Sequence, residues 1–469
     1  MNSTHALSQR VRGPVLAPGD AGYDAETAGF QSGLEQRPDL VVGARDADDV
    51  RAAVRYAADH GMPVRVQATG HGTPAAARGG MLLGTRRMDA VRVDPVARTV
   101  RVRAGARWEQ VIAAAAPYGL APPNGSAPHS GVVGYTLGGG LGLLARRFGY
   151  AADQVRAVDL VTADGRLRHL TATDLADTAD AVPTEDPDGE LFRALCGGRS
   201  GFGVVTGLEI GLVPVPRLYG GSLAFDGQSL PEVLEAYRDW TEDLPEEATS
   251  SLVAMVYPDV PQVPEALRGR HVVQVRLAYT GAAADGERLV APLRAVGPRL
   301  ADGLRDMPYA ESPTIHRDPT DPHPYTGSNT LLSALDPAAV AEFARRGGPG
   351  AEFFSVVQLH HLGGALSRPP RGGNAVGHRH ARYSLSVLSV ADAEREAEAR
   401  EFQRRSEEPL APWAVGRFLN FLFGVTTADD VRAAYEPGTW RRLEGLRQAY
   451  DPEGLFRTEA ATGSARVRV

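Results

Sequence analysis

An α+β fold in two parts is what the sequence predicts, and three observations predict it. The chain opens on a β-α-β unit, with Asp39–Ala44 as an apolar strand, Asp46–His60 as a helix and Val64–Gln67 as a second strand. Beyond Pro214 and Pro216 the texture changes to long strand-like segments with helices between them, as expected of a large antiparallel sheet covered on one face. At 469 residues the chain also exceeds what one core usually supports.

The elements follow in order. Residues 1–20 read as a loose arm. The helix at 46–60 carries acids in its first turn, Val50, Val54 and Ala57 on one face, and Gly61 as its stop. Short strands are expected at Met81–Leu83, Ala90–Val93 and Thr99–Val102, and a helix from Arg107 to Tyr118. Val155–Thr162 and Arg166–Thr171 flank Asp164-Gly165, a hairpin signature. Gly203–Leu212 closes the first part. In the second part strands are expected at Ser222–Phe225, Ser250–Val256, Val272–Tyr279, Phe353–Leu359 and Tyr383–Val390. Helices are expected at Pro231–Leu244, Ala284–Ala295, Pro337–Arg346 and Ala391–Arg404, and two short ones at Ala428–Ala434 and Thr439–Tyr450.

Composition narrows the function. Hydrophobic residues make up 43% and charged residues 23%, an ordinary globular balance. A net charge of −7, with no basic tract, argues against nucleic acid. No run of about 18 apolar residues is present to span a membrane, and the N-terminal stretch lacks a signal-peptide core. The single cysteine, Cys196, forms no internal disulfide, and a reducing cytoplasm is the expected compartment.

Two stretches carry the chemistry. Arg65–Thr73 starts as a strand and breaks into Ala68-Thr69-Gly70-His71-Gly72-Thr73, a turn of small residues able to approach an anion, with one histidine at its tip. From Pro122 to Gly142 the chain holds Gly125, Gly131, Gly134, Gly138, Gly139, Gly140 and Gly142. So much glycine opposes helix and packed strand and points to something large lying against the main chain. The triplet does not follow directly on a strand, as a dinucleotide fingerprint requires, and no Lys-Ser/Thr follows it, as a phosphate loop requires.

Together with Gly197-Gly198, Gly201-Phe202-Gly203-Val204-Val205-Thr206 and the tail Tyr450-Asp451-Pro452-x-x-Leu455-Phe456-Arg457, these stretches resemble FAD-linked oxidases of the vanillyl-alcohol-oxidase/PCMH type, berberine-bridge-enzyme-like branch. The resemblance implies a PCMH-type two-part FAD-binding domain, residues 21–213 with a return at 417–469, around an α/β substrate domain at 214–416. It implies that FAD lies along residues 68–73, Gly125, Ser126, Ala127, Ser130, Gly131, Gly134, Thr136, Leu137, 138–140, Gly142, Gly203, Val204, Val205 and Asn420. His71 falls on the position that bonds covalently to the flavin 8α-methyl. A neutral imidazole is a competent nucleophile there, and the attached cation raises the flavin potential. Ala127 stands where some relatives attach a second time through cysteine, so a single link is expected, with Cys196 a packed thiol. Ser130 stands at the oxygen-gating position, and its small side chain favours O₂ as electron acceptor.

The resemblance breaks at the catalytic bases. Phe418 replaces a tyrosine in Arg417-Phe418-Leu419-Asn420-Phe421, Ser384 replaces a carboxylate after Tyr383, and Glu459-Ala460-Ala461 replaces a terminal Asn-Gln-Asn. Tyr135, His361 and Tyr383 remain as candidates. Alternation puts Gln358 and His360 on one face of their strand and His361 on the other, and His361, next to Leu362-Gly363-Gly364, is ranked first among the histidines. His378 and His380 rank lower, and a metal role for the His-x-His pattern is discounted for want of a third ligand. The expected activity is oxidation of a mid-sized secondary metabolite, with hydride passing to flavin and O₂ becoming H₂O₂. Two alternatives stand beside it: a flavin-containing cyclase without net redox change, and a drug-binding resistance flavoprotein.

Overall fold

The computed structural model describes residues 3–72, 78–172, 187–199, 201–345 and 347–456, arranged on three sheets. In the first, Val64–Gln67 and Leu40–Gly43 both run parallel to Met81–Gly84 between them. The helix Ala47–Asp59 covers this sheet because Val50, Ala53, Val54 and Ala57 share one apolar face. Asp46 caps it, accepting from the amides of Asp48 and Asp49. Residues 3–20 are not a loose arm. Leu7 and Val11 pack into the same cluster, and Val15–Leu16 adds an antiparallel edge strand beside Val41 and Val42. Burial of apolar side chains, which the short segment's mixed composition hid, fixes it in place.

The chain's far end returns to this sheet. Leu455 and Phe456 bury against it, and the Leu455 carbonyl accepts from the Val64 amide at 2.7 Å. Beside it, Arg87 grips the buried Glu26 carboxylate with Nη1 and Nη2 at 2.8 and 2.5 Å. The Arg87 hydrogen bond holds the Glu26 pKa below its ordinary 4.5, against the upward push of burial. A lowered carboxylate pKa contributes stability above the unfolded value, and that contribution fades as pH falls through the lowered one. Glu26→Gln should therefore cost about 1–3 kcal/mol at pH 7. Denaturant melts of both proteins should converge below pH 4.5, the carboxylate's ordinary pKa. A gap that stays constant down to acid unfolding would contradict this.

The second sheet runs in the order Val91–Asp94, Thr99–Arg103, Val204–Gly211, Val155–Val161, Leu167–Thr171, antiparallel throughout. Its hairpin turns at Gly165, where φ is +71°, as the Asp-Gly signature predicts. Trp108 and Phe202 are the large side chains at the centre of its core. The third sheet is nine-stranded and antiparallel, with helices Leu230–Glu242 and Pro337–Arg345 packing their apolar faces onto one side of it.

Four differences from the sequence reading have physical causes. Thr326–Leu332 is a strand of the large sheet; its Gly-Ser-Asn centre reads as loop, but Asn329 is buried and hydrogen-bonds Ser384 and the Leu385 carbonyl. Pro187–Leu195 is a helix, its Leu191, Phe192 and Leu195 buried. The helix that follows strand Tyr383–Ser389 starts late, at Glu396 instead of Ala391. Inside the glycine run, Val132–Leu137 forms a short helix whose Val132 and Val133 join the second sheet's core; that burial outweighs the entropic cost of Gly134.

Candidate active site

A cavity of about 470 Å³ lies between the first sheet and glycine run on one side and the open face of the large sheet on the other. Residues 68–72 form one wall. Gly70 takes φ +73° because its turn docks on the neighbouring chain, with the Phe30 and Gln31 amides donating to the Thr69 and Gly70 carbonyls. A Cβ on Gly72 or Gly134 would meet nothing within 4 Å. The His71 ring stacks on Phe30 at 4.0 Å and 6°. Its Nδ1 pairs with Thr69 Oγ1 at 2.8 Å, and the Tyr325 hydroxyl donates to its carbonyl at 2.8 Å. Nε2 is buried with no partner among the described residues. Burial, reinforced by the charges of His129, Arg107 and His323, pushes the His71 pKa down to about 3, so the imidazole is neutral. Thr69 thus engages Nδ1 and leaves Nε2 as the ring nitrogen without a partner among the described residues.

Opposite stands a polar row that crosses three adjacent strands. Arg276 is in register with Ser251, and Ser251 with His360, and all three side chains line the cavity. His360 stacks on Phe421 at 5.1 Å and 11°, and its Nε2 has no partner among the described residues. Burial, then the Arg276 charge, pushes its pKa down to about 3.

The glycine-lined wall, with a buried unpaired imidazole nitrogen, has the chemistry to cradle a large anionic cofactor. Comparison with known proteins bears on which one. Residues 38–171 match the family described as FAD binding domain. The (R)-6-hydroxynicotine oxidase of Paenarthrobacter nicotinovorans is 28% identical over 97% of this chain and 98% of its own. The crystal structure of 6-hydroxy-D-nicotine oxidase from Arthrobacter nicotinovorans superposes with a TM-score of 0.80, at 25% identity, over 95% of this chain and 97% of that one. An aclacinomycin oxidase of Streptomyces galilaeus is 36% identical over 39% of this chain and 33% of its own length.

The chain carries an FAD binding domain and is similar over nearly its whole length to FAD-linked oxidases. Of the residues expected to hold FAD in this oxidase, Ala68, Thr69, Gly70, His71, Gly72, Gly125, Ser126, Ala127, Ser130, Gly131, Gly134, Leu137, Gly142, Gly203, Val204, Val205 and Asn420 line the cavity. Ser130 Oγ donates to the Ala127 carbonyl at 2.8 Å. Thr73, Arg457 and residues 459–461 lie outside the described residues. Thr136 and glycines 138–140 do not line the cavity. Those glycines give room to protein instead: the Asn420 carboxamide lies over Gly138, the Phe418 ring over Gly139 and the Tyr135 ring over Gly140.

The expected catalytic residues fare differently in the FAD-linked oxidase. Tyr135 lines the cavity, but its ring is wedged between Gly125 and Gly140. Burial pushes its pKa well above 10, so the phenol keeps its proton and cannot act as a base. His361 and Tyr383 do not reach the cavity. Both face the helix-covered side of the large sheet, where the Tyr383 hydroxyl pairs with Thr241 Oγ1 at 2.7 Å. Alternation separated the two histidines correctly, but which face looks inward depends on the covering helices, and His360 is the inward one. Ser384, at the expected carboxylate position, stands in register with His360 on the next strand and accepts from Asn329 at 2.8 Å. Ser251 and Arg276 escaped the sequence reading, although period-two alternation on two apolar strands carried the signal. Cys196 is a buried thiol, its pKa pushed up by burial. Among the described residues no helix is long and apolar enough to cross a membrane.

Proposed function

We propose that this FAD-linked oxidase carries its flavin on a single covalent link to His71 and oxidises a small secondary metabolite held against the row Arg276, Ser251, His360, with O₂ as acceptor. The observation behind the tether is the neutral, buried His71 with one ring nitrogen engaged by Thr69 and the other unpaired in the cavity. Bound there, FAD would supply a hydride acceptor that O₂ reoxidises, releasing H₂O₂. Thr69 and Phe30 hold the His71 ring in one plane, so its nucleophilic nitrogen is oriented before the cofactor arrives. The backbone of residues 68–72 and the Gly131–Gly134 segment would hold the cofactor, and Asn420 is steered towards the same space by its bond to the Tyr135 carbonyl at 2.8 Å.

His360 is the residue we assign to the substrate's proton. Placed in the cavity wall, its unpaired Nε2 would accept a proton from a substrate O–H or N–H as the hydride leaves the adjacent carbon. Phe421 fixes the ring plane through stacking. Cytoplasmic secondary metabolism fits the lone buried thiol and the similarity to an oxidase named for aclacinomycins. Anaerobic mixing with candidate metabolites tests the reading. A substrate should bleach the flavin without air and yield one H₂O₂ per turnover with it. Turnover that leaves the flavin absorbance untouched would favour the redox-neutral cyclase instead.

A further inference from the structure

We propose that the metabolite carries a carboxylate and that Arg276 binds it, making Arg276 the specificity-determining residue of the cavity. Arg276 is 6% exposed and lines the cavity from the middle of strand His271–Tyr279. No ion pair with a carboxylate is made by Arg276 among the described residues; Asp318 acts on it only at a distance, and the Tyr257 hydroxyl is a hydrogen-bonding neighbour. Burial pulls its pKa below the ordinary 12.5, a measure of how costly the uncompensated charge is there.

The guanidinium is only partly hydrogen-bonded among the described residues. Nη1 donates to His316 Nδ1 at 3.1 Å, which fixes the far edge. Nη2 reaches the Gln274 Oε1 at 3.4 Å and the His316 carbonyl at 3.5 Å, both long, the Tyr257 hydroxyl neighbours the same group, and Nε, itself buried, has no partner among the described residues. Nε and Nη2 together form the side-on fork that matches the two oxygens of a carboxylate. Ser251 Oγ, next in the row and 3% exposed, is unpartnered too and can donate to the same group. His360, one strand further, then stands beside the atoms next to that carboxylate. Neutral His316 and His360 add no competing charge: burial drives His316 well below 6.5 and His360 to about 3.

This rests on the reading of the cavity as the substrate site, but it can fail separately. Calorimetric titration of the holoenzyme with benzoate, phenylacetate and cinnamate, each against its neutral amide, reads charge preference directly. At least one acid should bind about tenfold or more tightly than its amide. Arg276→Gln should reduce that preference below about threefold, with thermal unfolding and flavin content unchanged, while Arg276→Lys should keep most of it. No pair reaching tenfold, or a preference that survives Arg276→Gln, overturns the proposal. If the preference is found as expected but no metabolite ever bleaches the flavin, the oxidase reading falls and the anion site stands.

Discussion

Replacing Asp153 by alanine should destabilise the protein by about 3–5 kcal/mol, because it strands a buried guanidinium. Asp153 and Arg379 have side-chain exposures of only 8% and 10% and meet at 2.7 and 3.2 Å. The carboxylate also accepts from Asn374 Nδ2 at 2.8 Å and from the Tyr150 amide at 2.9 Å, so each oxygen is used twice. Arg379 lies over the Tyr150 ring at 5.1 Å and donates to the Leu366 and Arg368 carbonyls. One carboxylate thus ties the turn Ala151–Gln154, beyond the glycine run, to the segment 366–379. Asp153→Asn, which keeps the shape and some hydrogen bonds, should cost less. A second change, Arg379→Met, should recover part of the loss in the alanine variant, since the unpaired charge goes with it. An unchanged denaturation midpoint for Asp153→Ala would refute the assignment.

The second large effect is kinetic. His360→Ala should slow anaerobic flavin reduction by roughly 10²–10⁴-fold, the usual range for a lost proton acceptor. Flavin content and unfolding temperature should hold. His361→Ala is the matched control: it alters a packed ring on the sheet's other side and should leave the reduction rate within about threefold. The acid limb of the rate should also be missing near pH 6.5, because the His360 pKa is lowered from there to about 3 and the ring stays in its base form through that range. Equal losses in the two variants would place the proton elsewhere.

Much of the scaffold was legible because it follows local rules. The helix after Asp46, the strand Val64–Gln67 and the hairpin at Gly165 each rest on caps, period and turn chemistry within a few residues of themselves. The turn at His71 was legible for the same reason: a strand that runs into small residues must break there. What stayed hidden depends on distant partners. Thr326–Leu332 becomes a strand because its neighbours supply ladder bonds and a polar partner for Asn329. Glycines 138–140 looked like cofactor contacts, yet they accommodate Asn420, Phe418 and Tyr135, two of them from nearly three hundred residues downstream.

The cavity wall opposite His71 shows the same limit more sharply. A strand pattern separates two faces but does not say which is covered, and a one-residue choice moved the assignment from His360 to His361. Arg276 was hidden differently. It sits in Val-Val-Gln-Val-Arg-Leu-Ala, where a single charge on an apolar strand reads as an edge or solvent position. Only the three-strand register reveals it as one member of a row.

The account turns on His71, and the mass of the denatured polypeptide tests it most directly. Unfolded in acid and stripped of everything not covalently held, the wild-type chain should stay yellow and weigh more than its sequence by one FAD. His71→Ala should be colourless and weigh the sequence alone. A wild-type chain at its bare sequence mass, or a His71→Ala chain still carrying the added mass, would contradict the central claim.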